Sequence, residues 1–194
     1  MVERAFEDGV RTRLILSGIS ELCCHGVRDF SLRRVALTAE VSCAAPYRHF
    51  KDKDELILEI IKYIFSKWQL LCREIESAYS EDTERLIVEL AAANVAFWAA
   101  NGNFRSVLTL EAGDETEGTR AEMRKFDAPV VSAIRRLGLC RKMSEDKIEA
   151  LEFFVTSLVY GTVMLIISGR TESTVSAVDK MRAVIEGELK SDNK

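Results

Sequence analysis

Between Ser31 and Lys53 the chain carries the signals for two short helices joined by a tight turn, and no other segment restricts the fold as much. Ser31 offers a hydroxyl to the first N–H groups of a helix over 31–38, in which Leu32, Val35 and Ala36 share one face. Ser42 offers the same to a second helix that runs to His49. There Tyr47, Arg48 and His49 follow one another; at about 100° per residue they fan over roughly 200°, so some of them must face solvent. Pro46 then falls near the fourth residue, close to the first turn, where a missing N–H costs least. Two short helices in this order form a helix-turn-helix, the arrangement that lays its second helix in the major groove of DNA.

The rest of the chain reads as helix. Two prolines and ten glycines in 194 residues leave few breaks. Apolar residues recur at three- and four-residue intervals rather than alternating, which predicts an all-α protein of about nine helices. A first helix over about 4–24 turns Val10, Leu14, Ile19 and Leu22 inward and stops at Gly26. Asp52 and Glu55 have capping-box spacing, so a fourth helix starts at Lys53. Its stripe of Leu56, Ile57, Ile60, Ile61, Ile64, Trp68, Leu71 and Ile75 carries it to about Tyr79, a length of roughly 40 Å that suits coupling one region to another. Further helices are expected near 82–100, 104–111, 120–137, 144–168 and 173–190. Gly102 marks a break, 113–118 an acidic loop, Ser144 and Ser173 N-caps, and Pro129 a kink or interruption.

Charge is unevenly spread. Residues 1–52 hold eight Arg/Lys against seven Asp/Glu although the whole chain carries −4, so a slightly basic head precedes an acidic body. A protein that touches DNA at one end and is repelled elsewhere has this balance. The five cysteines, at 23, 24, 43, 72 and 140, show neither metal spacing nor a disulfide framework and fit a reducing cytoplasm. Glu3, Glu7 and Asp8 interrupt any secretion-type start. Phe153 to Gly169 carries no charge, but it falls short of the ~20 residues of a membrane span and is diluted by Thr156, Ser157, Gly161 and Thr162. A buried bundle helix and no membrane partner are expected. His25 and His49 stand apart from any Cys/His/Asp cluster, and no nucleophile elbow, phosphate loop or dinucleotide fingerprint occurs, so no metal, cofactor or catalytic residue is expected.

The run Val41-Ser42-x-x-Ala45-Pro46-Tyr47-Arg48-His49-Phe50, with Ser31-Leu32-Arg33-x-Val35-Ala36 before it and Lys53-Asp54-Glu55-Leu56 after it, resembles the signature of the TetR family of bacterial transcriptional regulators. The resemblance covers about 11–60. It departs at Glu40, where relatives usually carry a glycine; a glutamate there must keep φ negative or accept strain. Phe97-Trp98-x-x-Asn101-x-x-Phe104-Arg105 is similar to the start of the C-terminal domain in one branch of the family, which usually has a proline near position 102.

The resemblance implies a cytoplasmic homodimer acting as a repressor, with a DNA-binding domain over 1–52 and an effector-binding and dimerisation domain over 53–194. A palindromic double-stranded operator would be its DNA partner, and a small molecule would release it. Carried over, Ser42, Cys43, Ala44, Ala45 and Arg48 approach base edges, while Tyr47, His49 and Lys53 meet phosphates. Arg48 has the fork for a bidentate contact with guanine, whereas Cys43, Ala44 and Ala45 present apolar surface suited to thymine methyls. Ser31, Arg33 and Arg34, at a helix N-terminus, are the expected backbone clamps. In the family the last two helices pair with their twins, which points to Leu158, Gly161, Leu165, Val175, Val178, Met181, Val184 and Ile185 as the dimer interface. Asn94, Phe97, Trp98, Phe104, Met123, Phe126 and Tyr160 are candidates to line a pocket for a largely apolar effector. The competing reading is a helix-turn-helix protein without a small ligand, controlled by a protein partner or by thiol oxidation at Cys43, a cysteine beside a helix N-terminus.

Overall fold

The computed structural model describes the backbone of residues 2–104, 107 and 117–191, with side chains from Gly9 onward except that of Asn103. Among the described residues there are nine α-helices and no strand: α1 (Val2–His25), α2 (Leu32–Thr38), α3 (Pro46–His49), α4 (Lys53–Ala78), α5 (Thr83–Ala100), α6 (Glu117–Arg124), α7 (Ala128–Arg141), α8 (Glu145–Ile167) and α9 (Thr174–Ser191). A 3-10 turn, Gly102–Phe104, follows α5. Most of the helix expected over 104–111, and 113–116 of the acidic loop, lie outside the described residues. The chain forms two compact units, 1–66 with 103–123 and 67–102 with 124–194, so α4 begins in the first and ends in the second.

In the first unit α1 packs against α2 and α3. Leu14, Ile19, Leu22, Leu32, Val35, Phe50, Leu56 and Ile60 are buried there. α1 ends where predicted because Gly26 adopts φ +68, a left-handed conformation that glycine accepts without a Cβ clash, and its N–H donates to the Leu22 carbonyl at 2.9 Å. The cap before α4 forms with a shifted return bond: the Glu55 N–H donates to Asp52 Oδ1 at 2.9 Å, while the Glu55 carboxylate accepts the N–H of Lys51, one residue before the cap, at 2.6 Å. Arg11 pairs with Glu59 and lies over the Phe50 ring, 5.4 Å from its centroid, fastening α1 to α4 and to the residue that closes α3.

The second unit is built around α5, which is apolar on nearly every side and packs against α7, α8 and α9. Trp68 Nε1 from α4 and Asn94 Nδ2 from α5 both donate to the Phe126 carbonyl, at 3.0 and 3.3 Å. The helix expected over 120–137 is two helices, α6 and α7. Pro129 stands in the first turn of α7, where its fixed φ and missing N–H are tolerated, so it starts a helix instead of bending one. On α9, Arg182 and, along α5, Arg85 both reach Glu89 at 2.6 Å. The bond from Arg182 overrides the opposing effect of burial and holds the Glu89 carboxyl below the usual carboxylate range. Cys72 on α4 is buried, and burial, aided by the charge of Glu76, pushes its thiol up to about 12.

α7 and α8 meet at Gly138, where an added Cβ would stand 2.5 Å from the Ile148 side chain; Arg135 flanks the contact with bonds to Glu145 and Glu152. We expect Gly138→Ala to destabilise the protein by about 1–3 kcal/mol, the cost of overpacking. Denaturant melts check this, and the same substitution in an Ile148→Ala background should cost far less.

Candidate nucleic-acid interface

The interface begins at the N-terminus of α2. Ser31 is extended, φ −128, and its hydroxyl accepts the Arg34 N–H at 3.4 Å, the cap expected of it. Glu21 reaches this point from α1. It is 6% exposed and accepts the Ser31 N–H at 3.0 Å and Arg34 Nε at 2.8 Å. Arg34 Nη2 lies 2.5 Å from the same carboxylate, and His25 Nδ1 lies 3.2 Å away. Burial alone would raise the Glu21 pKa, but the bonds from Arg34 and the Ser31 N–H, with the charges of Arg34 and His25, hold it below the usual carboxylate range. Arg34, expected as a backbone clamp, is thus paired inside the head and also donates to the Asp29 carbonyl. Arg33 is exposed and makes no ion pair among the described residues.

α2 ends in a left-handed cap. Glu40 takes φ +54, so of the two outcomes open to it the chain takes the strained one. Its N–H donates to the Leu37 carbonyl at 3.1 Å and that of Val41 to Ala36 at 3.0 Å, the paired bonds that usually close a helix over a glycine. This turn delivers α3, which begins at Pro46 and not at Ser42. Residues 42–45 form a turn in which the Ala45 N–H donates to the Ser42 carbonyl at 2.9 Å, and no side chain caps α3. The correction has a physical cause: proline, lacking an N–H, is accommodated at the first helical position, so Pro46 opens the helix and Ser42 is no cap.

The outer surface of this motif is polar and apolar in turn. Tyr47 is 64% exposed, Arg48, Ser42, Cys43 and Ala44 are exposed, and Ala45 and His49 are half-buried. Pro46 and Phe50 face inward, the latter with its ring 6.3 Å from that of His49. Lys53 stands with Nζ 3.5 Å from the Val27 carbonyl. Sequence reasoning missed Glu21, because an acid on one helix paired with an arginine on the next follows no spacing rule. It also passed over Leu37, an apolar residue left 76% exposed one turn after Arg33.

The residues proposed for an effector pocket divide. Asn94, Phe97, Trp98 and Phe126 are buried together in the second unit, with Trp98 and Phe126 ring centroids 5.0 Å apart and Phe97 5.6 Å from Trp68. Phe104 and Met123 belong to the first unit and are half-buried. Tyr160 is 54% exposed on α8, so its ring is turned out of this core.

The residues proposed for dimerisation also divide. Leu165, Val175 and Val184 are exposed; Leu158, Gly161 and Val178 are half-buried. Met181 and Ile185 are corrected: with Leu189 they repeat every four residues on the inward face of α9 and fill their own chain's core. Leu158, Leu165 and Val184 border a groove of about 420 Å³ between α8 and α9. α8 is long and apolar enough by length and composition to cross a membrane, with a mean hydropathy of 1.9 over a stretch of which only 28% is buried.

An outward third helix, seated after a turn on two helices that close the core, defines a helix-turn-helix DNA-binding module. Residues 15–60 match the model of the bacterial regulatory proteins, tetR family. Solved structures extend the likeness in fold to most of the chain. The transcriptional regulator FadR from Bacillus subtilis, in complex with stearoyl-CoA, aligns with a TM-score of 0.72 and 13% identity over 90% of this chain and 96% of its own. The fatty acid degradation regulator FadR from Bacillus halodurans aligns at 0.73 and 13% over 90% and 93%. NalD of Pseudomonas aeruginosa, the secondary repressor of the MexAB-OprM multidrug efflux pump, aligns at 0.73 and 19% over 92% and 96%. No curated protein matches the chain. The chain therefore has the fold of a TetR-family transcriptional regulator.

A left-handed residue other than glycine costs about 1–2 kcal/mol, part of which glycine returns as chain entropy. Glu40→Gly should accordingly stabilise the protein by about 0.5–1 kcal/mol. Urea melts check the gain, and an unchanged or lower midpoint contradicts it.

Proposed function

We propose that this protein is a transcriptional repressor that binds a palindromic operator as a homodimer in the cytoplasm, through a DNA-binding domain over 1–52, and is released when a small molecule occupies a domain over 53–194. The observation that carries the reading is the outward display of Tyr47 and Arg48 on α3, within the segment that matches the family. Arg48 reads a guanine edge; Cys43 and Ala44 meet thymine methyls; Tyr47, His49 and Lys53 take phosphates. Two such heads use both half-sites when their third helices lie one DNA turn apart, about 34–36 Å.

A second copy is the natural cover for the outer face of α8 and α9. Phe153 and Val175 are more than two-thirds exposed, and Leu165 and Val184 nearly half, an apolar surface beyond what scattered exposure explains. The membrane alternative is disfavoured because α8 packs on α5, α7 and α9 and ties Glu152 to Arg135. For the effector, the stearoyl-CoA held by the Bacillus subtilis relative supports a ligand with a long apolar part, in keeping with the aromatic residues of the second unit.

Genome-wide mapping of bound sites supplies the operator, and binding arrays then test the roles. Arg48→Ala should relax preference at one base pair per half-site by about 1–3 kcal/mol, whereas Tyr47→Phe should weaken all sequences alike. Equal loss of discrimination in both variants contradicts the assignment. Val184→Glu should weaken dimerisation by about 3 kcal/mol or more, because it buries an unpaired charge, and sedimentation should show monomers. A wild-type monomer at micromolar concentration removes the dimer from the proposal.

A further inference from the structure

We propose that Glu21 is a positioning residue of the DNA interface, holding Arg34 as a neutral pair and pinning the Ser31 N–H, so that Arg33 is the cation α2 offers to the DNA backbone. This rests on the reading of the first unit as DNA-binding. The two arginines are neighbours in sequence and both reach the surface, yet their surroundings differ. The Glu21 side chain is 5% exposed and receives Arg34 Nε at 2.8 Å and Nη2 at 2.5 Å, and Nη2 also donates to the Asp29 carbonyl. A phosphate that drew Arg34 away would leave a buried carboxylate with only the Ser31 N–H and His25 for company, and uncovering a buried charge is strongly unfavourable.

The same carboxylate shapes the helix terminus. An α-helix opens with four N–H groups that no helical carbonyl satisfies. Here Glu21 takes the Ser31 N–H and the Ser31 hydroxyl takes the Arg34 N–H, so two of the four are satisfied within the head. Among the described residues, Arg33 has no such carboxylate. Glu21 thereby decides how many charges α2 contributes and which residue carries them.

The test uses the full chain and a mixed-sequence duplex of about three helical turns, with affinity followed by fluorescence anisotropy over a range of salt. Each phosphate neutralised contributes about −0.9 to the slope of log K against log salt. Arg33→Ala should reduce the slope's magnitude by about 0.9 per head, Arg34→Ala should leave it unchanged, and Glu21→Gln, which keeps an acceptor for the Ser31 N–H while releasing Arg34, should increase it by about 0.9 per head. As a check that needs no substitution, the Arg34 Nε–H resonance should stay where it is on saturation with duplex. A slope that falls as much for Arg34→Ala as for Arg33→Ala, or an Arg34 resonance displaced by DNA, overturns the assignment while leaving DNA binding intact. A wild-type chain that binds no duplex even at low salt overturns the functional reading and this inference with it.

Discussion

The second unit depends on one backbone carbonyl. Trp68 and Asn94 each bring a polar N–H into an otherwise apolar interior, and a buried donor without a partner costs about 1–3 kcal/mol. The acceptor for both is the carbonyl of Phe126, in the bend between α6 and α7. The α7 ladder opens one residue later, with the Val131 N–H donating to the Asp127 carbonyl at 3.0 Å. Pro129 makes the break durable, since its ring bars continuation of the helix from α6. One local interruption thus fastens α4, α5 and the bend together, and the Phe126 ring, tilted at 44° to that of Trp98, is buried beside it.

Elements whose ends are written in short-range chemistry were legible in the sequence. Gly26, Ser31 and the Asp52/Glu55 pair act through neighbours two to four residues away, and the α4 stripe from Leu56 to Trp68 is buried as its spacing implies. The start of α3 was not, because a serine at 42 and a proline at 46 are both credible openings, and the chain spends 42–45 on a turn before the proline opens the helix. On α9 the apolar pattern covers more than one face, so periodicity could not tell that Met181 and Ile185 belong to the chain's own core while Val184 faces out. The consecutive Tyr47, Arg48 and His49 did reveal an outward surface, since they fan over about 200° of a single-turn helix whose buried side is taken by Pro46 and the following Phe50. Glu21 lay beyond reach because its role exists only once α1 and α2 are packed.

The head shows how little of its formal charge is on offer. Arg11 is spent on Glu59 and Phe50, Arg34 on Glu21, leaving a near-neutral domain in which a few exposed cations do the electrostatic work. On the proposed function, such a head would draw less on counterion release and more on fit, to which Arg48, the small residues at 43–45 and the geometry of the turn would contribute. The strain at Glu40 lies in that same turn, at the point that aims α3.

Cys72 carries a different kind of information. A thiol pushed up to about 12 is ionised at neutral pH roughly a hundred-thousandth of the time, and the thiolate is the species that reacts. The other four cysteines, Cys23, Cys24, Cys43 and Cys140, are exposed. With those four replaced by serine, alkylation of the remaining sulfur becomes a clock for the opening of the second unit alone, ticking only when α4 releases its inner face. The chain thus contains its own reporter of breathing in the region proposed for ligand capture, and a compound that docked there would announce itself by slowing that clock.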